Sequence, residues 1–132
     1  MLKKTITYTN YANVEVTEDF YFNLSKAELM EMELSTEGGL QERIEKIVKA
    51  KKTPEVMKMF KGIILAAYGE KSPDGRRFIK SEELSKAFTE TEAYSELMME
   101  LIGDADKASA FIYGIVPNEL ADKAQKASLT NK

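Results

Sequence analysis

The hydrophobic period of the chain changes at Leu24, and that change sets what it can fold into. Before it, apolar residues alternate: Ile6 and Tyr8, then Val14 and Val16, ahead of Phe20-Tyr21-Phe22. A period of two built from aromatic and β-branched residues fits a pleated surface. Asn10-Tyr11-Ala12-Asn13 supplies turn residues between the two runs, so residues 4–23 are predicted to form a β-hairpin. A lone hairpin is marginal in water, so this one must pack on helices or lend its edge to another chain. After Leu24 the period is helical. Ser25-Lys26-Ala27-Glu28 has the order of a capping box, with Leu24 and Leu29 placed to close a hydrophobic staple.

The first helix should run through Met30, Met32 and Leu34 and stop before Gly38-Gly39. Leu40, Ile44, Ile47 and Val48 mark the apolar face of a second, with Glu42/Lys46 and Glu45/Lys49 as supporting pairs. Thr53-Pro54 reads as cap and first residue of a third, which carries Val56, Met59, Phe60, Ile63, Ile64, Ala67 and Tyr68 and stops at Gly69. This helix is apolar around much of its circumference and is the candidate centre of the core. Ser81 opens a short helix with Leu84, Ala87 and Phe88. Thr89-Glu90-Thr91-Glu92 reads as a second capping box before Ala93, Tyr94, Leu97, Met98, Leu101 and Ile102, with Gly103 as the end. Asp104 caps the next, closed by Gly114 and Pro117, and residues 118–132 read as a short helix fraying into a tail. The expected fold is mainly α: one globular domain over residues 1–117, a compact bundle of about six short helices (residues 25–116) with an N-terminal β-hairpin.

The inventory of side chains excludes more than it suggests. Neither histidine nor cysteine occurs in the 132 residues, which removes the commonest general base, the commonest transition-metal ligand and the thiolate nucleophile. Nearly all the acids fall at helix starts or on polar helix faces, where capping and solvation account for them. Asp104-Ala105-Asp106 lacks the further ligands of a calcium loop and reads as a helix cap. No catalytic, cofactor-binding or metal-binding residue is expected. The formal net charge of -3 favours a protein partner over a polyanion. No window approaches the ~20 apolar residues of a membrane span, and Met1-Leu2-Lys3-Lys4 is not followed by the apolar run of a signal peptide. A cytoplasmic protein is expected.

Tyr68 to Ser81 sets a proline, two glycines and a run of charge between stretches that read as helix. Pro73-Asp74-Gly75 has the order of a tight turn and lacks the spacing of a phosphate-binding loop. Arg76, Arg77 and Lys80 flank Phe78-Ile79 in a pattern suited to a short extended segment, while Glu70, Asp74, Glu82 and Glu83 offset their charge. The stretch reads as a connector between helices that presents arginine to a protein partner. With Lys46, Lys49, Lys51, Lys52, Lys58 and Lys61, the same cations motivate the alternative of a small nucleic-acid-binding regulator using a local basic patch. The lysines read first as a solubilising face. The seven methionines suit adaptable binding surfaces as well as cores. Adjacent Met98 and Met99 cannot both face one core, so Arg76, Arg77, Phe78, Met98 and Met99 are the candidate partner-binding residues.

Thr17-Glu18-Asp19-Phe20-Tyr21-Phe22-Asn23-Leu24-Ser25-Lys26-Ala27-Glu28, with Glu31-Met32-Glu33 and Ser35-Thr36-Glu37-Gly38-Gly39, resembles tail assembly chaperones of long-tailed phages of Gram-positive bacteria. Tyr68 to Ser81 and Thr91-Glu92-Ala93-Tyr94-Ser95-Glu96-Leu97 resemble the same family. The resemblance implies a non-enzymatic protein of the infected host cytoplasm, absent from the mature virion. It implies the tape measure protein and the tail tube protein as partners, the first to be coated and the second recruited. A longer form made by frameshifting is common in that family, which would make this chain the shorter product. The resemblance assigns no binding residue. The free hairpin edge leads to the expectation of a homo-oligomer, since a coat along a filamentous partner benefits from many copies.

Overall fold

The computed structural model describes residues 1–35 and 54–117. Strands β1 (Leu2–Thr9) and β2 (Glu15–Phe22) form the expected hairpin. Asn10 closes it, its side-chain oxygen accepting from the Ala12 and Val14 N–H groups, and Asn13 takes the left-handed conformation (φ 61°) that asparagine tolerates. Helix α1 (Lys26–Ser35) follows. Its capping box is reciprocal: the Glu28 N–H donates to Ser25 Oγ (3.1 Å) and the Ser25 N–H to Glu28 Oε1 (2.9 Å). The staple residues Leu24 and Leu29 are both buried.

Helix α2 (Pro54–Ala67) begins at the expected proline and buries Phe60, Ile63, Ile64 and Ala67. It does not continue to Tyr68. The chain turns into strand β3 (Tyr68–Lys71), then β4 (Phe78–Ile79). Helices α3 (Glu82–Thr89), α4 (Glu92–Gly103) and α5 (Ala105–Ile115) complete the described chain. Ser81 and Asp104 cap α3 and α5 as read, with Leu84 N–H donating to Ser81 Oγ and Asp106 and Lys107 N–H groups to Asp104 Oδ1. The cap of α4 is Thr91 rather than Thr89, whose hydroxyl donates back to the Lys86 carbonyl inside α3.

The four strands lie in the order β1-β2-β3-β4, all antiparallel. The fold is therefore α+β, and the expectation of a mainly α bundle with a hairpin appended is corrected. Five helices stand among the described residues; the helix read over Leu40–Val48, the Gly38-Gly39 stop and the tail read over residues 118–132 lie outside them. The two further strands are four and two residues long: Phe78-Ile79 takes the extended form expected of it, but its pairing with β3, and β3 itself, are too short to announce themselves by alternation. The apolar spacing of α2 also runs on into Tyr68 without a break. What ends the helix is tertiary: the Ala67 carbonyl accepts from the Asn23 N–H (2.8 Å), at the end of β2.

Phe20 and Phe22 of the hairpin enter the core and meet Tyr68 and Phe88, while Phe22 also packs edge-on against Phe111 (5.1 Å between centroids). Tyr68 stacks on Phe88 at 4.3 Å. The hairpin is thus a structural centre of the domain. Leu24 N–H donates to the Ile115 carbonyl (2.8 Å), tying the end of the hairpin to the end of α5.

Two glycines have roles other than those read from sequence. Gly69 lies within β3, where a Cβ would stand 2.7 Å from the Ile79 carbonyl oxygen and 2.8 Å from the Phe78 ring. It is a close-approach site, not a helix stop. Gly114 lies inside α5 and admits the Leu2 side chain, whose nearest methyl would be 3.1 Å from an added Cβ.

Candidate partner-binding surface

The segment from Ser72 to Arg77 is a tight hairpin loop, where a connector between helices was expected. Gly75, at φ +75°, donates its N–H to the Ser72 carbonyl, and the Ser72 N–H donates to the Arg77 carbonyl, both at 2.9 Å. Asp74 organises the turn by accepting from Ser72 Oγ (2.6 Å) and from the Arg76 N–H (3.1 Å). Those hydrogen bonds, the Ser72 hydroxyl first, hold its carboxyl below the usual range, so a negative charge sits beside the two exposed arginines. This arrangement offsets the basic patch locally. The lysines at positions 46, 49, 51 and 52, which the nucleic-acid reading also needs, lie outside the described residues.

Beyond the loop, Arg77, Phe78, Ile79 and Lys80 line a shallow cleft of about 500 Å³ with Asn23, Ser25 and Glu28. Lys80 bonds across it. Its Nζ donates to Glu28 Oε2 and to the Asn23 carbonyl, each at 2.6 Å, and lies 5.6 Å from the Phe78 ring centroid. Burial raises the Glu28 carboxyl, but the hydrogen bonds from Lys80 and the Ser25 N–H, with the Lys80 charge, outweigh it and leave the group below its ordinary range. Lys80 also borders a second shallow cleft of about 570 Å³, lined by Lys61, Leu65, Glu82, Ser85 and Lys86 among others. Both are open troughs between elements.

Among the candidate residues, the structure brings Arg77 and Phe78 together in the first cleft and leaves Met98 and Met99 apart on α4. Phe78 is half-buried over Gly69, so part of its surface is already used by the fold. Met98 packs against the core and Met99 is 70% exposed, which resolves the adjacent pair as the helical spacing requires. Sequence reading placed Met30 and Leu34 on the first helix without separating its faces. Leu29 is buried and Met32 packs against the core, while Met30 and Leu34, one turn apart, are 61% and 81% exposed. The signal was available in the spacing, since Leu29 and Met30 cannot share a face.

An apolar pair at i and i+4, an exposed methionine on another helix and two exposed arginines suit contact with an amphipathic segment of another polypeptide. Among the described residues no three acidic side chains converge as metal ligands would, and no helix is long and apolar enough to cross a membrane. The model of one protein family, described as phage tail assembly chaperone, matches the chain over residues 1–132. No curated protein and no solved structure matches it.

Proposed function

This chain belongs to the phage tail assembly chaperone family, and on that premise we propose that it binds and shields the tape measure protein while helping to recruit tail tube subunits. The match over the whole chain carries this reading. Exposed Met30, Leu34 and Met99 support it physically, because flexible apolar side chains adapt to the varied apolar faces of a long helical partner. The proposed role is non-enzymatic and belongs to assembly in the infected host cytoplasm, with the chaperone absent from the mature virion. Several copies act along one partner molecule, since linked weak contacts gain from multivalency.

Co-expression with a fragment of the tape measure protein tests the reading. The fragment is expected in the soluble fraction with this chain and in the pellet without it. Precipitation of the fragment beside a folded chaperone would count against shielding. Salt-sensitive binding of nucleic acid, with no effect on the fragment, would favour the basic-patch alternative instead.

A further inference from the structure

We propose that strand β1 pairs antiparallel with β1 of a second copy of this chain, with Ile6 opposite Ile6. Strand β1 is the outer strand of the sheet, and the backbone bonds show which of its groups are open. The Asn10 N–H donates to the Val14 carbonyl (2.9 Å), so positions whose numbers sum to 24 form a bonded pair there. Bonded and non-bonded pairs alternate along an antiparallel ladder. Leu2, Lys4, Ile6 and Tyr8 therefore bond to β2, and Lys3, Thr5, Thr7 and Thr9 turn their N–H and C=O groups away from it. The other side of β2 agrees, for odd-numbered Asn23 donates to Ala67 and Tyr21 pairs with Gly69. No described backbone group meets the outward groups of β1.

That edge contains no proline and pairs with β2 in unbroken register from Leu2 to Thr9, so it lacks two of the devices that keep edges from pairing. With Ile6 on the two-fold axis, Lys3 meets Thr9 and Thr5 meets Thr7 of the other copy, and every outward group finds a partner. A one-residue shift would turn the two sheets to opposite faces. The charges select this occupant. Lys3 and Glu15 are exposed on the same face, and neither is in an ion pair among the described residues. Thr9 pairs with Glu15 inside each copy, so Lys3 of one copy lies across Thr9 from Glu15 of the other, two strands or roughly 10 Å away at the backbone and within reach of two long side chains. The two Lys3 side chains stand six residues apart along the strand, roughly 20 Å. Lys4 is engaged elsewhere, in an ion pair with Glu100 at 3.2 Å.

Sedimentation equilibrium of the full chain at concentrations up to about 1 mM should show a monomer–dimer equilibrium. Lys3→Glu and Glu15→Lys should each weaken dimerisation about tenfold, and the double variant should return it to within about threefold of the parent. Thr5→Pro removes an outward N–H, so it should keep the parent circular dichroism and abolish the dimer. A strictly monomeric parent, growth beyond dimers, or a double variant as weak as the singles would overturn the pairing. If Thr5→Pro fails to fold, the charge-swap series still decides. The pairing would join copies of the chaperone proposed above, but its test reads mass alone. A monomer that still keeps the tape measure fragment soluble overturns the pairing and leaves that function standing.

Discussion

Lys80 Nζ lies 2.6 Å from Glu28 Oε2 and, at the same distance, from the Asn23 carbonyl, so one side chain just past β4 fastens both the end of β2 and the first turn of α1. The pair remains partly exposed, 22% at Lys80 and 35% at Glu28, so its Coulomb attraction is screened. Lys80→Met should cost about 1–2 kcal/mol, read as a lower urea midpoint at pH 7. The pH dependence has a definite sign. The Glu28 pKa is lowered in the folded state, so its stabilisation is present above its ordinary value of 4.5 and is lost as pH falls through the folded value. The parent should therefore lose more stability than Lys80→Met on acidification below that point, and parallel acid limbs would show that Lys80 does not hold the carboxylate.

Gly69→Ala should destabilise the domain although alanine is the smallest possible addition. The new Cβ would stand 2.7 Å from the Ile79 carbonyl oxygen, and backbone cannot swing aside as a side chain can. A cost of about 1–3 kcal/mol is expected from overpacking, with thermal unfolding lower by several degrees. Phe78→Leu in the same chain relieves only the ring contact at 2.8 Å, so it should restore part of the loss. Full restoration would place the obstruction in the ring alone.

The contrast between Ser25 and Gly69 shows how much of this fold the sequence discloses. The capping box at Ser25, the caps at Ser81 and Asp104, the turn at Asn10–Asn13 and the buried face of α2 are local devices, and each is legible from spacing and residue type. Gly69 has the residue type of a helix stop, but its partners are Ile79 and Phe78, brought to it by β4. Tyr68 likewise fits the apolar period of α2 and is claimed by Phe88 from a later helix. The candidate site divides in the same way. The opposite fates of Met98 and Met99 follow from their adjacency, whereas the use of Phe78 to cover Gly69 depends on strand pairing. The closing of the Arg76-Arg77 loop around Asp74 is local, and the order Pro73-Asp74-Gly75 announces it.

Tyr8 carries a prediction for the alkaline range. Its hydroxyl donates to Glu18 across the hairpin, and that bond, with burial and the Glu18 charge, pushes the phenol from 10.0 up to about 12. A raised folded pKa means the contribution to stability is whole below the unfolded value and is lost as pH rises from about 10 toward 12. Absorbance titration at 295 nm should show a late-ionising tyrosine that disappears in Tyr8→Phe and moves to lower pH in Glu18→Gln. A Glu18→Gln titration superimposable on the parent would mean that the hairpin pair does not govern Tyr8.

Binding and folding should separate cleanly between Met30, Leu34 and Met99 on one side and Phe22 on the other. The first three are exposed, so Met30→Asp, Leu34→Asp and Met99→Asp remove apolar surface from water-facing positions and should leave stability within about 0.5 kcal/mol of the parent. Phe22 is fully buried among Tyr68, Phe88 and Phe111, and Phe22→Ala should cost about 3–5 kcal/mol, a large part of the stability of a domain this size. In the co-expression assay the triple surface variant should leave the tape measure fragment in the pellet while the variant itself stays folded by circular dichroism. Truncating the arginines in Arg76→Ala/Arg77→Ala should have a smaller effect on solubility, because Asp74 already offsets their charge beside the loop. A triple variant that still keeps the fragment soluble would move the contact away from α1 and Met99 and toward the cleft of Arg77 and Phe78.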